Sequence, residues 1–249
     1  MYINTFQYKP EHVDCRLCTE YAGKKKGCTA KTCPWLAERI EAGVVGYKEA
    51  VMETFPRNVH TDARLHTAIR RFSGSLFLNA AHYQRMERMK VRQGYRRRRD
   101  TPAYYAAMYL LTANEDICTR AANCFCRYGI EFDYATTQDI SPHNYTLLSA
   151  AKDIYSDGSS VALNDLAISE VVDTLAFSLI VNALLIARYG CSVLKISEKE
   201  GQYIRRFLTE DGYAQVLDAQ RQGRVRVYKH ANIIEGHIIP AKPKKRRGK

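Results

Sequence analysis

The run Leu175 to Ala187, LAFSLIVNALLIA, is the stretch that most restricts how this chain can fold. It falls short of the roughly 20 apolar residues a membrane-spanning helix needs, and Ser178 and Asn182 interrupt it. No membrane partner is therefore expected. A helix apolar on nearly every side must instead be enclosed by other elements, so the run predicts a core helix with further helices around it. The tyrosine-, alanine- and leucine-rich segment 102–112 reads as a second core element. At 249 residues and 46% hydrophobic content, the chain can bury such a core.

Helical periodicity and capping residues fill in the rest. Residues 34–55 read as helix with a break near Gly43 and Gly46, Ile40, Val44, Tyr47, Val51 and Phe55 forming one face. Thr61 or Asp62 can cap a helix through Phe72, and Leu76 to about Gln93 predicts the next, ended by Gly94. Thr101-Pro102 opens another, Asn114 caps a helix expected to run to about Gly129, and 142–155, 163–167 and 170–188 complete the series. Residues 2–8 suggest a short strand. Beyond Gly190, two amphipathic helices (197–208 and 210–221) precede the alternating runs RVRVYKH and IIEGHII, which suit a small hairpin. The expected architecture is mainly α: a zinc-knuckle module with its following helix (1–56), a multi-helix domain (57–190), and a basic C-terminal extension (191–249) with a disordered tail from about 240.

Four of the eight cysteines fall in DCRLCTEYAGKKKGCTAKTCPWL as C-x2-C-x9-C-x4-C: Cys15, Cys18, Cys28 and Cys33. The N-terminus MYINTFQYKPEH lacks the apolar region of a secretory signal, so a cytoplasmic, reducing setting is expected. There, clustered cysteines more often bind metal than form disulfides. Four thiolates about 2.3 Å from one zinc ion make a closed, structural site with no open position for water. Gly23 and Gly27 bracket Lys24, Lys25 and Lys26 and let the chain reverse, and Trp35 is expected as an apolar floor beneath the ion. Cys118, Cys124 and Cys126 read as core thiols, because steps of six and two spread them around a helix.

Net charge is +12, concentrated in two zones. Residues 57–100 hold 12 Lys or Arg against 3 Asp or Glu, and 191–249 hold 14 against 6, whereas 101–190 hold 4 against 10. Such asymmetry points to a polyanionic partner, DNA or RNA. Arg85, Arg88 and Arg92 share a helical face leading to Tyr95, Arg96, Arg97, Arg98 and Arg99. Guanidinium groups grip phosphates while a tyrosine ring stacks on a base, the usual build of sequence-tolerant binding. Arg224 and Arg226 offer a second surface on the expected hairpin, and the run from Lys242 adds nonspecific affinity.

No phosphate-binding, dinucleotide-binding or serine-hydrolase motif is present. The nearest material for a nuclease is His60, Asp62, His66 and His82. The runs TPAYYAAMYLLTANEDICTRAA, LLSAAKDIYSDGSS and FSLIVNALLIARYG resemble a group of uncharacterised proteins of phages and integrative elements of Gram-positive bacteria, over about residues 100–190. That resemblance implies a bacterial cytoplasmic setting and transfers no site residue. The leading expectation is a nonenzymatic, zinc-containing nucleic-acid-binding protein of a mobile element. The alternatives are an inhibitor that binds a host nucleic-acid-targeting defence complex, of anti-CRISPR or anti-restriction type, and a nuclease. The sequence leaves oligomeric state open.

Overall fold

The computed structural model describes residues 6–55, 58–196, 225–227 and 236–238. Among these, nine α-helices follow in order: α1 (Leu36–Glu41), α2 (Tyr47–Thr54), α3 (Asp62–Arg71), α4 (Ala80–Gln93), α5 (Pro102–Leu111), α6 (Glu115–Arg120), α7 (Pro142–Ser156), α8 (Leu163–Ala167) and α9 (Thr174–Tyr189). The protein is mainly helical, as its patterning predicts.

Several helices begin where a side-chain oxygen can satisfy an orphan N–H. Asn79, Thr101, Asn114 and Ser141 accept from His82, Tyr104, Ile117 and Asn144, and Asp173 accepts from both Leu175 and Ala176. The break foreseen between the first two helices falls where Gly43 adopts φ of +72° and Gly46 caps α2.

Helix α5 is the hub. Tyr104 and every residue from Ala106 to Leu111 are buried, and the helix packs chiefly against α7 and α9. By length and composition the stretch Thr174–Lys195 could cross a membrane, but 56% of its most apolar window is buried in the fold. Its one strongly polar interior residue, Asn182, anchors a buried network. Tyr47 Oη donates to Asn182 Oδ1 (2.7 Å), and Asn182 Nδ2 donates to the Leu76 carbonyl (3.1 Å) and to Tyr109 Oη (3.2 Å). His82, fully buried, accepts from the Leu78 N–H at Nδ1 (3.2 Å) and donates from Nε2 to the Tyr109 carbonyl (2.9 Å). Polar groups placed this deep are stabilising only when fully paired, and this network ties α2, the 76–82 segment, α5 and α9 into one arrangement.

Arg64 fixes α3 against α8, the loop after it and α9. Its guanidinium donates to the carbonyls of Leu166 (2.6 Å) and Val172 and stands 4.4 Å over the Phe177 ring.

Some elements differ from the sequence reading. The helix starting at Glu115 stops at Arg120, and the chain then turns so that Phe125 pairs antiparallel with Ile130. Cys126 N–H donates to the Gly129 carbonyl and Glu131 N–H to that of Cys124, which gives two apolar side chains inward positions in a segment of weak helix formers. Helix α4 starts at Ala80 rather than Leu76, because Asn79 is the stronger cap. Packing also continues past Gly190: a 3-10 turn over Gly190–Lys195 buries Val193 and Leu194, and Ile196 follows them into the core. Phe6 to Tyr8 form no strand, the remainder of that expected element lying outside the described residues. The helices expected over 197–208 and 210–221 and the tail from 240 also lie outside them. Val225–Val227 and Gly236–Ile238 pair antiparallel, with Arg226 opposite His237.

Candidate functional site

Local hydrogen bonds shape the cysteine segment. Asp14 caps a 3-10 turn over Cys15–Leu17 by accepting from the Arg16 N–H (2.9 Å), and it pairs with the same residue's guanidinium, which holds the Asp14 carboxyl below its ordinary pKa. Cys18 N–H closes the turn on the Cys15 carbonyl (3.0 Å). Tyr21 then pairs antiparallel with Cys28, and Gly27 N–H donates to the Gly23 carbonyl (2.8 Å). Gly23 at φ +90° and Gly27 at φ +67° occupy backbone conformations that other residues rarely adopt. The reversal read from their positions is present, and Lys24, Lys25 and Lys26 stand exposed at its tip.

Cys33 is where this segment meets the helical body. Its N–H donates to Glu53 Oε2 on α2 (3.0 Å), while Arg39 Nη1 on α1 lies 3.5 Å from Cys33 Sγ and 2.7 Å from Glu49 Oε1. Burial works against the Arg39 charge, but hydrogen bonds to Cys33 and Glu49 outweigh it and raise the guanidinium pKa. Cys15, Cys18, Cys28 and Cys33, all free thiols, line a single cavity of about 550 Å³ together with Arg39, Glu49 and Glu53. Among the described residues no group of three or more Cys, His, Asp or Glu lies within metal-holding distance. The donor set nevertheless suits a soft divalent ion: four thiols lining one cavity, with a cationic side chain beside one of them. Trp35 lines the same cavity but is 51% exposed, so it forms a rim and not the expected floor.

The second feature is the end of α4. Met86 and Met89 face inward, and Arg88 and Arg92 are exposed on the outer side. Arg85 is bent back: Nε donates to the Thr112 carbonyl (2.8 Å) and Nη2 to that of Ala113 (2.6 Å). It thereby satisfies carbonyls at the C-terminus of α5, which the helix itself leaves unpaired. Gly94 ends α4 at φ +59°, and the chain turns so that Arg96 N–H donates to Asp100 Oδ2 (3.1 Å).

Arg99 points into the protein. Its side chain is 3% exposed, Nε donates to Asp100 Oδ1 (2.6 Å), Nη2 donates to the Gly94 carbonyl (2.6 Å), and the guanidinium lies 4.8 Å from the Tyr104 ring centroid. Burial raises the Asp100 carboxyl, but hydrogen bonds from Arg99, the Arg96 N–H and Tyr105 Oη outweigh it and leave its pKa lowered. With Arg99 inside, Tyr95 and Arg96 to Arg98 are all exposed, Tyr95 to 76%. The basic sequence block thus splits into two structural residues, Arg85 and Arg99, and an exposed set around Arg88, Arg92, Tyr95, Arg96, Arg97 and Arg98.

The remaining candidates separate. His66 Nε2 lies 3.8 Å from Asp62 Oδ2 on the surface of α3, and His60 is exposed just before that helix, whereas His82 is spent in the core network. Cys124 is fully buried, and burial pushes its thiol up to about 11. Burial likewise raises Cys118, against the pull of Arg85, Arg88 and Arg92. Arg224 lies outside the described residues, and Arg226 occupies the first of the paired C-terminal strands. Arg39, Glu49 and Glu53 are not singled out by sequence reasoning. Their signal is faint: an arginine and two glutamates on the two short helices that follow Cys33.

No curated protein and no solved structure matches the chain. Residues 192–247, which is the basic C-terminal extension and not the 100–190 body, are similar to a family of unknown function, DUF5720.

Proposed function

We propose that this protein binds nucleic acid without chemically altering it. The observation that carries this reading is the exposed cluster at the end of α4, formed by Arg88, Arg92, Tyr95, Arg96, Arg97 and Arg98, while Arg85 ties α4 to the end of α5 and Arg99 holds the turn after α4. Cations at that density track a phosphate backbone, and a largely exposed tyrosine offers a stacking face to any base. Lys24 to Lys26 extend the basic surface at a second point. The zinc-knuckle reading belongs with this one: Cys15, Cys18, Cys28 and Cys33 hold a structural zinc that fixes the lysine-tipped reversal. Arg226, in the first of the paired C-terminal strands, would supply a further contact. The setting proposed with it is a mobile element in a bacterial cytoplasm, a reading supported only by the resemblance noted for residues 100–190.

The test is a titration of fluorescently labelled single-stranded and duplex DNA and RNA by the full chain at low and rising salt. Binding that weakens steeply as salt rises is expected. No binding to any of them at low salt refutes the reading. Under that result, capture of a host protein complex that survives nuclease treatment would identify the protein as an inhibitor of such a complex instead.

A further inference from the structure

Of the four clustered thiols, Cys33 alone is tied to the helical body by both its backbone and its sulfur. The side chain at that sulfur is an arginine, 15% exposed, whose Nη1 lies between Cys33 Sγ and Glu49 Oε1. A neutral thiol is a weak acceptor, whereas a thiolate is the form that attracts a guanidinium. Arg39 Nε is buried and has no acceptor among the described residues, although Arg39 lines the thiol cavity. One N–H of the fork thus already meets a cysteine sulfur and another lacks a partner.

We propose that Arg39 is the outer-sphere partner of a metal-bound Cys33 thiolate, oriented by Glu49, and that it sets how tightly the four-cysteine site holds its ion. This rests on the zinc reading above. Four thiolates around Zn²⁺ leave a net charge of about −2. A guanidinium touching one ligand offsets part of that charge, and hydrogen bonds to a ligand sulfur fix its position, as outer-sphere groups commonly do. When metal binds, each ligand thiol releases its proton to solvent and the sulfur keeps the electron pair it gives to zinc. Drawing the four sulfurs together also offers the spare Nε–H an acceptor. Glu53, holding the Cys33 N–H, keeps the ligand's backbone in register with α2.

The experiment uses the full chain as wild type, C33S, R39Q, R39K and E49Q. Zinc per chain, affinity against a chromophoric chelator, and the absorption of the cobalt(II)-loaded protein are measured, with thermal melting of each metal-free form alongside. Wild type should bind one metal with a tetrahedral thiolate cobalt spectrum, and C33S should lose part of the thiolate charge-transfer band. R39Q should still bind one ion but about 10- to 100-fold more weakly, R39K should recover part of that loss, and E49Q should fall between R39Q and wild type. If R39Q lowers metal-free melting but leaves affinity within about twofold of wild type, Arg39 is only a brace between α1 and α2. The proposal then fails while the zinc reading stands. If wild type binds no metal, both fail. Should R39Q not fold, E49Q decides the matter alone, because its guanidinium remains but loses its orienting partner.

Discussion

Replacing Arg88 and Arg92 together by glutamine should flatten the salt dependence of nucleic-acid binding while leaving the fold intact. Five arginines are exposed around the end of α4 (Arg88, Arg92, Arg96, Arg97 and Arg98). Each phosphate neutralised contributes about 0.9 to the slope of log affinity against log salt on duplex DNA and about 0.7 on a single strand. Five contacts therefore supply about −4.5 on duplex, a loss of roughly 500-fold between 50 and 200 mM salt, and removing two leaves about −2.7, a loss of roughly 40-fold. Because other basic residues lie outside the described part of the chain, the difference of about 1.8 is the quantity to read, not the absolute slope. Anisotropy titrations of a labelled duplex at five or six potassium chloride concentrations give it directly. Arg85→Gln is the internal control. It removes a side chain bonded to the Thr112 and Ala113 carbonyls, so it should lower stability by roughly 1–3 kcal/mol and leave the slope unchanged. A double variant whose slope stays within about 0.5 of wild type, or an Arg85→Gln slope that drops as far as the double variant's, would refute the assignment of surface and scaffold roles.

Asn182→Leu should lower the melting temperature by roughly 4–12 °C, since it removes the buried hydrogen bonds that Asn182 makes to Tyr47, the Leu76 carbonyl and Tyr109; differential scanning calorimetry checks it. Gly129→Ala should destabilise by about 1–3 kcal/mol, because a Cβ there would lie 2.3 Å from Tyr155 Oη, the acceptor of the Ile130 N–H; denaturant melts read the loss. Asp100 supplies an acid limb. Its folded-state pKa is lowered, so its stabilisation is fully present above its unfolded value near pH 4 and is lost as pH falls through the folded value. The melting difference between wild type and Asp100→Asn should therefore be constant from about pH 5 to 7 and shrink below about pH 4.

Capping chemistry made most of the helical body legible in advance. Thr101-Pro102 and Asn114 each place an oxygen acceptor where a helix must begin, and the apolar runs of α5 and α9 allow only a buried position. Composition could not tell one arginine from another. Arg96 and Arg99 are neighbours in the same block, yet Arg96 faces water while Arg99 fills a slot made by Gly94, Asp100 and Tyr104. That distinction depends on partners brought together by tertiary packing. The Arg39–Cys33 contact was hidden for the same reason, joining a helix to a loop through a side chain that periodicity treats as merely polar. The early end of α6 reflects the same kind of override, since the inward pairing of Phe125 with Ile130 outweighs a helical pattern that continues on paper.

The Tyr47–Asn182 hydrogen bond spans 135 positions along the chain, and this gives biosynthesis a timetable. At a ribosomal pace of 5–20 residues per second, roughly 7 to 27 seconds separate the synthesis of the two partners. Within that interval α5 is made and then waits for α9, which begins 63 positions (174 − 111) further on, so for roughly 3 to 13 seconds a helix apolar on almost every side lacks its cover. The nascent chain is then most exposed to chaperones and to aggregation. On the proposed zinc reading, the cysteine segment, made well before α9, has that whole interval in which to meet an ion before the helical body closes.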